Sequence, residues 1–285
     1  MEQYPRPMTL IVQITDLHLR PRGLACYRVS DTNMLAARAF RAIAALPQKP
    51  DAVVITGDLT DGADEREYAL LRQLCRQMPC PVYVMPGNHD LTAAMRSELA
   101  DFPGVGDAPA GDKLHYAVTI GGLRLVVLDS SVAGKPYGRL GGDQIAWLDQ
   151  TLAADHTPTL VALHHPPRVT GIAHMDVIGL ADTEALAAIL SRHHHVERLI
   201  CGHVHRTIIA RFAGTVMTLC PSTAHACVLD FAPDAPAEFV MEPPAFFVHR
   251  LDPEAGLSSH LHYVEAYPGP YPFFADKGVS WPGGK

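Results

Sequence analysis

Five short apolar runs rich in β-branched residues each end in polar residues that are common metal ligands. One of them, Val53 to Thr56, is followed directly by Gly57 and Asp58. A short run of this kind predicts a buried strand of a parallel sheet, with Gly57 allowing a sharp exit and Asp58 at the carboxyl end. Ligands of open α/β sheets bind at that end.

The other four runs lead into polar segments of the same type. These are Ile11 to Thr15 before Asp16-Leu17-His18, Val82 to Met85 before Pro86-Gly87-Asn88-His89-Asp90, Leu160 to Leu163 before His164-His165-Pro166-Pro167, and Arg198 to Cys201 before Gly202-His203-Val204-His205. The five predicted strands therefore deliver Asp, Asn and His side chains to one rim.

Amphipathic segments between these runs predict an α/β fold built from strand-helix-strand units. Helices are expected at about 32–46, after an Asp61-Gly62-Ala63-Asp64 cap, and at 92–100, 141–154 and 182–192. Gly121 and Gly122 separate two strand-like runs and predict a hairpin. Beyond His205 the pattern is mainly β, with strands expected at 207–212, 216–219, 226–231 and 246–251.

No Gly/Ser linker, internal repeat or low-complexity tract marks a domain boundary, and hydrophobic residues make up 48% of the 285 residues. One domain over residues 1–285 is therefore expected. Its C-terminal part, about 213–285, has four prolines between Pro233 and Pro244 and an aromatic tail from Tyr267 to Phe274. We expect this part to pack on the same domain or on a second subunit, which favours a homo-oligomer.

Composition excludes several kinds of partner. The formal net charge is −7 and the pI is about 6.1, which argues against binding to a nucleic acid polymer or to an anionic membrane. No basic-then-apolar leader is visible, and no apolar run approaches the roughly 20 residues that span a bilayer. The six cysteines lack C-x-x-C spacing, which disfavours a zinc ribbon. A reduced cytoplasmic protein with buried thiols is expected, and a disulfide between subunits or elements is the alternative.

The polar residues at the rim form a hard-to-borderline ligand set, suited to divalent Fe, Mn, Zn or Co. Seven candidates are too many for one tetrahedral site and suit two ions about 3.5–4 Å apart that share Asp58. The seven are Asp16, His18, Asp58, Asn88, His164, His203 and His205. A single histidine is more often a satisfied structural residue, and this interpretation is kept for His165, His174, His249 and His262.

The same residues carry a family resemblance. Asp16-x-His18, Gly57-Asp58, Gly87-Asn88-His89-Asp90, His164-His165-Pro166 and Gly202-His203-x-His205 follow in the order found in calcineurin-like metallophosphoesterases. Within that family the chain most resembles, over nearly its whole length, the bacterial glycerophosphodiesterases and the class III cyclic-nucleotide phosphodiesterases. The resemblance implies a four-layer α/β/β/α sandwich, with two mixed sheets flanked by helices.

The resemblance also implies roles for individual residues. Asp16, His18 and His205 would hold the first ion, Asn88, His164 and His203 the second, and Asp58 would bridge them. His89 would face the substrate phosphate and assist the leaving group. Asn88 would also lie at the substrate, and His225 would supply a further histidine that faces the phosphate.

The implied activity is hydrolysis of small phosphodiesters, glycerophosphodiesters first, by in-line attack of a water activated by the two ions. Hydrolysis of 3′,5′-cyclic nucleotides is the alternative, and monoesterase activity is a third possibility. A non-catalytic metal-binding scaffold would be expected to lack a ligand or His89, and the sequence has all of them.

Overall fold

In the computed structural model, which describes residues 8–272, two mixed β-sheets pack face to face and helices cover their outer faces. The strands are β1 Thr9–Ile14, β2 Ala52–Thr56, β3 Val82–Met85, β4 Tyr116–Ile120, β5 Leu123–Val127, β6 Thr159–Ala162, β7 Val196–Cys201, β8 Ile208–Phe212, β9 Thr215–Leu219, β10 Ala226–Cys227, β11 Phe239–Val240, β12 Ala245–Asp252 and β13 Gly256–Tyr263. The helices are α1 Thr32–Ala44, α2 Glu65–Cys75, α3 Thr92–Glu98, α4 Gly142–Ala154, α5 Ala173–Asp176 and α6 Thr183–Leu190.

The two large sheets have parallel centres and antiparallel edges. The first has the order β13-β12-β1-β2-β3, in which β1, β2 and β3 are parallel. The second has the order β4-β5-β6-β7-β9-β8, in which β5, β6, β7 and β9 are parallel. Because the parallel strands run the same way within each sheet, their carboxyl ends lie along one edge.

Three clusters of buried apolar side chains hold the layers together. One lies between the sheets and includes Ile11, Val54 and Leu160. A second joins the first sheet to α1, α2 and α3, and a third joins the second sheet to α4 and α6. The predicted four-layer α/β/β/α sandwich is confirmed.

The five ligand-bearing strands, the hairpin at Gly121-Gly122 and the five predicted helices are all present. The cap predicted at Asp61-Gly62-Ala63-Asp64 is present, because Asp64 is the N-cap of α2, its side chain accepts from the backbone, and Glu67 completes a capping box. One detail of the sequence prediction is wrong. The strand expected at 226–231 is only the two-residue β10, because Leu229 and Phe231 are exposed and lead into Pro233.

Three elements were not predicted. The edge strand β13 has no continuous apolar run, since Ser258, Ser259, His260 and His262 are polar, and it is fixed by pairing with β12. The second is β11, two residues that pair with β10 inside the proline-rich stretch, and the third is the single turn α5. Tyr267 and Tyr271 are exposed, and Phe273 and Phe274 lie outside the described residues. Packing of the tail, on this domain or on a second subunit, stays a prediction.

Two further observations concern the cysteines and the presence of membrane-spanning helices. All six cysteines fall within the described residues and are free. In the stretch from residue 8 to residue 272, no helix combines the length and apolar character needed to cross a lipid bilayer.

A buried glutamine links the two sheets. Gln13 points from β1 into the layer between them, where its Nε2 donates to the Cys201 carbonyl of β7 at 3.0 Å and to Thr56 Oγ1 at 3.0 Å. Its Oε1 lies 3.1 Å from His249 Nε2 on β12. This one polar side chain therefore joins β1 to β7 across an otherwise apolar layer.

Replacing Gln13 with leucine is expected to lower the free energy of unfolding by about 1–3 kcal/mol, because His249 Nε2 loses its partner in the interior. Urea unfolding followed by circular dichroism measures this. Gln77→Leu is the matched control, since the Gln77 side chain is exposed and donates a solvent-facing hydrogen bond to the Gln73 carbonyl; it should change stability by less than about 0.5 kcal/mol. Equal stabilities for the two variants would contradict the structural role of Gln13.

Candidate metal centre

The seven predicted ligands converge on the edge where the parallel strands end. Asp16 and His18 follow β1, Asp58 follows β2 and Asn88 follows β3, all in the first sheet. His164 follows β6, and His203 and His205 follow β7, in the second sheet. All except Asn88 are buried. Both sheets therefore contribute side chains to one site.

Five of the seven residues have the left-handed backbone conformation that favours glycine. The φ angles are 51° for Asp16, 45° for His18, 47° for Asp58, 72° for His203 and 60° for His205. Each such residue costs on the order of 1–3 kcal/mol and is maintained only by its surroundings, typically at functional sites. Here, backbone hydrogen bonds join the turns, including Asp16 N to Gly57 O at 3.1 Å and His18 N to Asp58 O at 3.0 Å.

Close approach requires glycine at two further positions. A Cβ on Gly87 would overlap the backbone nitrogen and Oδ1 of Asp58. A Cβ on Gly202 would overlap Thr15 Oγ1 and crowd Asp16 Oδ2. The glycines before Asn88 and His203 thus leave room for carboxylates from neighbouring loops.

The first group of ligand atoms comprises Asp16, His18, Asp58 and His205, which offer atoms within 4.8 Å of one another. His18 Nε2 lies 3.2 Å from His205 Nε2. Asp16 Oδ1 is 3.3 Å from His205 Nε2, and Asp58 Oδ2 is 3.6 Å from His18 Nε2.

The second group surrounds His164 Nε2. This nitrogen lies 3.2 Å from Asn88 Oδ1, 3.2 Å from His203 Nδ1 and 3.4 Å from Asp58 Oδ2. Asp58 Oδ2 therefore faces both groups, as expected of a shared ligand.

The outer nitrogens of three histidines are held by carbonyl or carboxylate oxygens. His18 Nδ1 lies 3.1 Å from Asp61 Oδ1, His164 Nδ1 lies 2.9 Å from the Thr56 carbonyl, and His205 Nδ1 lies 3.0 Å from the His225 carbonyl. An N–H at each Nδ1 donates to that oxygen, which leaves the Nε2 lone pair facing inward.

These contacts provide a test of whether the residues fit cations. In each group, imidazole nitrogens lie within about 3.2–3.6 Å of one another and of carboxylate or amide oxygens. His203 Nε2 is also buried without a hydrogen-bond partner among the described atoms. Convergent lone pairs from N and O donors are what a divalent ion binds. The residues fit a pair of such ions.

The electrostatics of the site favour positive charge. Burial would raise the pKa of Asp58, but His164 and its neighbours hold that pKa well below the usual value. Burial likewise opposes a charge on His164, yet Asp58 and Asp16 raise its pKa to about 9. The buried carboxylates remain ionised and create a strong negative potential at the centre.

His89 lies beside this centre and lines the same cavity as Asp58 and Asn88. Its Nδ1 is 3.0 Å from the Asp61 carbonyl, and its ring centroid is 4.6 Å from that of His18. Burial opposes a charge on this ring, but Asp58 and Asp61 raise its pKa. The ring edge that carries Nε2 is left for a ligand.

Asp61 is the residue that sequence reasoning missed. Its side chain contacts His18, Arg20 and Cys26, and its carbonyl holds His89. The available signal was its position, three residues after Asp58 in the same loop, but the Asp-Gly pair resembled an ordinary helix cap. Asp61 joins a candidate ligand to the histidine that faces the cavity.

His225 also borders the cavity, with its ring 4.5 Å from that of His205 and its Nδ1 buried without a partner among the described residues. His165 differs from these histidines. Its Nε2 donates to the Pro136 carbonyl at 3.2 Å and its Nδ1 accepts from the Ser130 hydroxyl at 2.8 Å. Although its ring lies near His164 and His203, both nitrogens are engaged, which agrees with the structural interpretation.

Comparison with known proteins gives concordant matches. A family model described as calcineurin-like phosphoesterase matches residues 9–207. The chain is 35% identical over 271 residues to the probable glycerophosphodiester phosphodiesterase of Arcobacter nitrofigilis, covering 94% of this chain and 98% of that protein. It is 33% identical over 260 residues to a probable cyclic nucleotide phosphodiesterase of Synechococcus sp., covering 90% and 94%.

Among solved structures, a dimetal phosphatase from Danio rerio is similar with a TM-score of 0.63 and 17% identity, over 92% of this chain and 100% of that one. This likeness concerns the fold alone. The sequence matches confirm the resemblance drawn from the motifs, and the chain belongs to the calcineurin-like phosphoesterase family.

Proposed function

We propose that this protein hydrolyses small phosphodiesters, glycerophosphodiesters first, using two divalent cations of the Fe, Mn, Zn or Co class. Asp16, His18 and His205 would hold one cation, Asn88, His164 and His203 the other, and Asp58 both. The Arcobacter relative, whose printed name gives this activity, supports the substrate class.

The observation that carries the proposal is the position of one carboxylate oxygen. Asp58 Oδ2 lies 3.6 Å from His18 Nε2 and 3.4 Å from His164 Nε2, between the two groups of ligand atoms. A single oxygen so placed would be available to both cations. When bound, such a pair supplies Lewis-acid chemistry, because it lowers the pKa of a water and offsets negative charge on phosphate oxygens.

The chain's own residues orient the substrate and move a proton. Asp61 holds His89 through Nδ1, so Nε2 is directed to the cavity. Asp61, which is not a proposed ligand, has its carboxylate 3.6 Å from His89 Nδ1 and favours a protonated ring with a proton at Nε2. That proton is donated to the oxygen of the leaving alcohol, a contribution of about 10²–10⁴-fold for general acids. His225 and Asn88 contact the phosphate.

A cyclic nucleotide is the second candidate substrate, because the Synechococcus relative is named for that activity. The same centre would open a 3′,5′-cyclic diester to a monophosphate. A homo-oligomeric state and a cytoplasmic location stay expectations; light scattering and fractionation test them.

The direct test compares turnover of glycerophosphoethanolamine, cyclic AMP and p-nitrophenyl phosphate in added Mn²⁺. We expect the glycerophosphodiester to have the highest kcat/KM. Asp58→Ala should reduce turnover by more than roughly 100-fold, the upper range for residues that only support ligands. Asp107→Ala, which removes an exposed carboxylate, is the control. A preference for cyclic AMP would overturn the first substrate, and full activity of Asp58→Ala would overturn the metal mechanism.

Gly87→Ala tests the geometry of the shared carboxylate without removing a ligand. The added methyl group would displace Asp58, and a misplacement of this kind can cost roughly 10²-fold in rate. We expect diester turnover to fall by about that factor and bound metal to fall below two ions per chain by mass spectrometry. Gly142→Ala is the control, because a Cβ there meets no atom within 4 Å. Normal metal content and rate in Gly87→Ala would refute this geometry.

Asp61→Asn tests the support of His18, because His89 is held by the Asp61 backbone carbonyl. The amide keeps the shape of the side chain but removes the negative charge from the oxygen that accepts from His18 Nδ1, so metal affinity should fall by about 10–100-fold. A competition assay with a chromogenic chelator gives the affinity. Asp64→Asn, in the neighbouring helix cap, should leave metal affinity unchanged; equal affinities in both variants would remove Asp61 from the site.

A further inference from the structure

The cavity over the candidate metal centre has two chemically different parts. It has a volume of about 360 Å³, within the roughly 300–1,000 Å³ range of small-ligand sites. One part consists of candidate ligands, including Asp58 and Asn88, and the other includes Tyr27, Glu238 and Phe239. A diester that places its phosphate at the centre can direct an alcohol arm toward the second part.

Two aromatic rings form one wall of this second part. Tyr27 lies edge-on to His225 at a centroid distance of 5.3 Å, and its ring is 5.3 Å from that of Phe239. Phe239 is 5.0 Å from His225. Tyr27 is nevertheless 56% exposed. The aromatic group is thus anchored on His225 and presents an open ring at the cavity.

The charge of the same wall is negative. Glu238 is exposed and lines the cavity. A backbone hydrogen bond fixes its position, since its carbonyl accepts from Val228 N at 3.0 Å. Nearby Glu242 pairs with Arg206 at 2.9 Å, whereas Glu238 has no ion-pair partner within residues 8–272. Of the residues described, neither a lysine nor an arginine lines this cavity.

These features discriminate between alcohol arms. A carboxylate attracts a cationic arm and repels an anionic one, and aromatic faces attract ammonium groups. Arms bearing phosphate or carboxylate groups would find no counter-charge on the wall. Neutral arms would gain only apolar contact with the rings.

We propose that Tyr27, Glu238 and Phe239 form a subsite for the alcohol arm and select diesters of cationic amino alcohols over neutral or anionic ones. This inference rests on the proposed phosphodiesterase function. It concerns the specificity of that activity and gives no role to the wall in the bond-breaking step.

The test compares glycerophosphocholine with its 3,3-dimethylbutyl analogue, in which carbon replaces the charged nitrogen without changing the shape. The wild-type protein with Mn²⁺ should favour the choline diester about fivefold in kcat/KM. Glu238→Gln and Tyr27→Leu should each lower that ratio by about twofold to threefold. Raising the NaCl concentration should lower the wild-type ratio and have less effect on Glu238→Gln, since salt screens exposed charges.

Asp234→Asn is the matched control, because it removes one exposed carboxylate from the same proline-rich segment but outside the cavity; its ratio should equal that of the wild type. A wild-type ratio of one or less, or an unchanged ratio in Glu238→Gln, overturns the subsite while leaving the phosphodiesterase function standing. Hydrolysis of neither diester overturns both the subsite and the assignment of glycerophosphodiesters as the first substrates.

Discussion

The carboxylate of Asp58 is the interaction on which the site depends. Its Oδ2 faces both groups of candidate ligands, while its Oδ1 accepts the backbone N–H of His89 at 2.9 Å. Its position requires the left-handed turn after β2 and the missing side chain at Gly87. One side chain thus couples the loops after β2 and β3 to the histidine at the end of β6.

The layers of the sandwich maintain this arrangement. Left-handed turns at five polar residues are unfavourable in isolation, and the buried strands before them hold the backbone in place. Gln13 adds a direct tie, because it bonds the carbonyl of Cys201, the residue before Gly202 and His203. The rigid parts of the fold therefore position the strained ones, and the loops carry the chemistry.

Much of this could be predicted from the sequence because the parallel strands are buried on both faces. Their runs are mainly apolar, so the polar residues after them, such as Asp58 and His164, stand out. Strand β13 could not be predicted, since its pattern is half-exposed and its order comes from pairing with β12. Asp61 was missed for a different reason. Its role depends on contacts with His18 and His89 that no local pattern encodes.

The division of the ligands between the two sheets has a mechanical consequence. Asp16, His18, Asp58 and Asn88 belong to one sheet, and His164, His203 and His205 to the other, so ions at this edge would link the two sheets. The free energy of ion binding would therefore also stabilise the contact between the two sheets. Through this linkage, the supply of cations would affect how long the protein stays folded as well as its catalytic rate. Chelation would first weaken the contact between the two sheets.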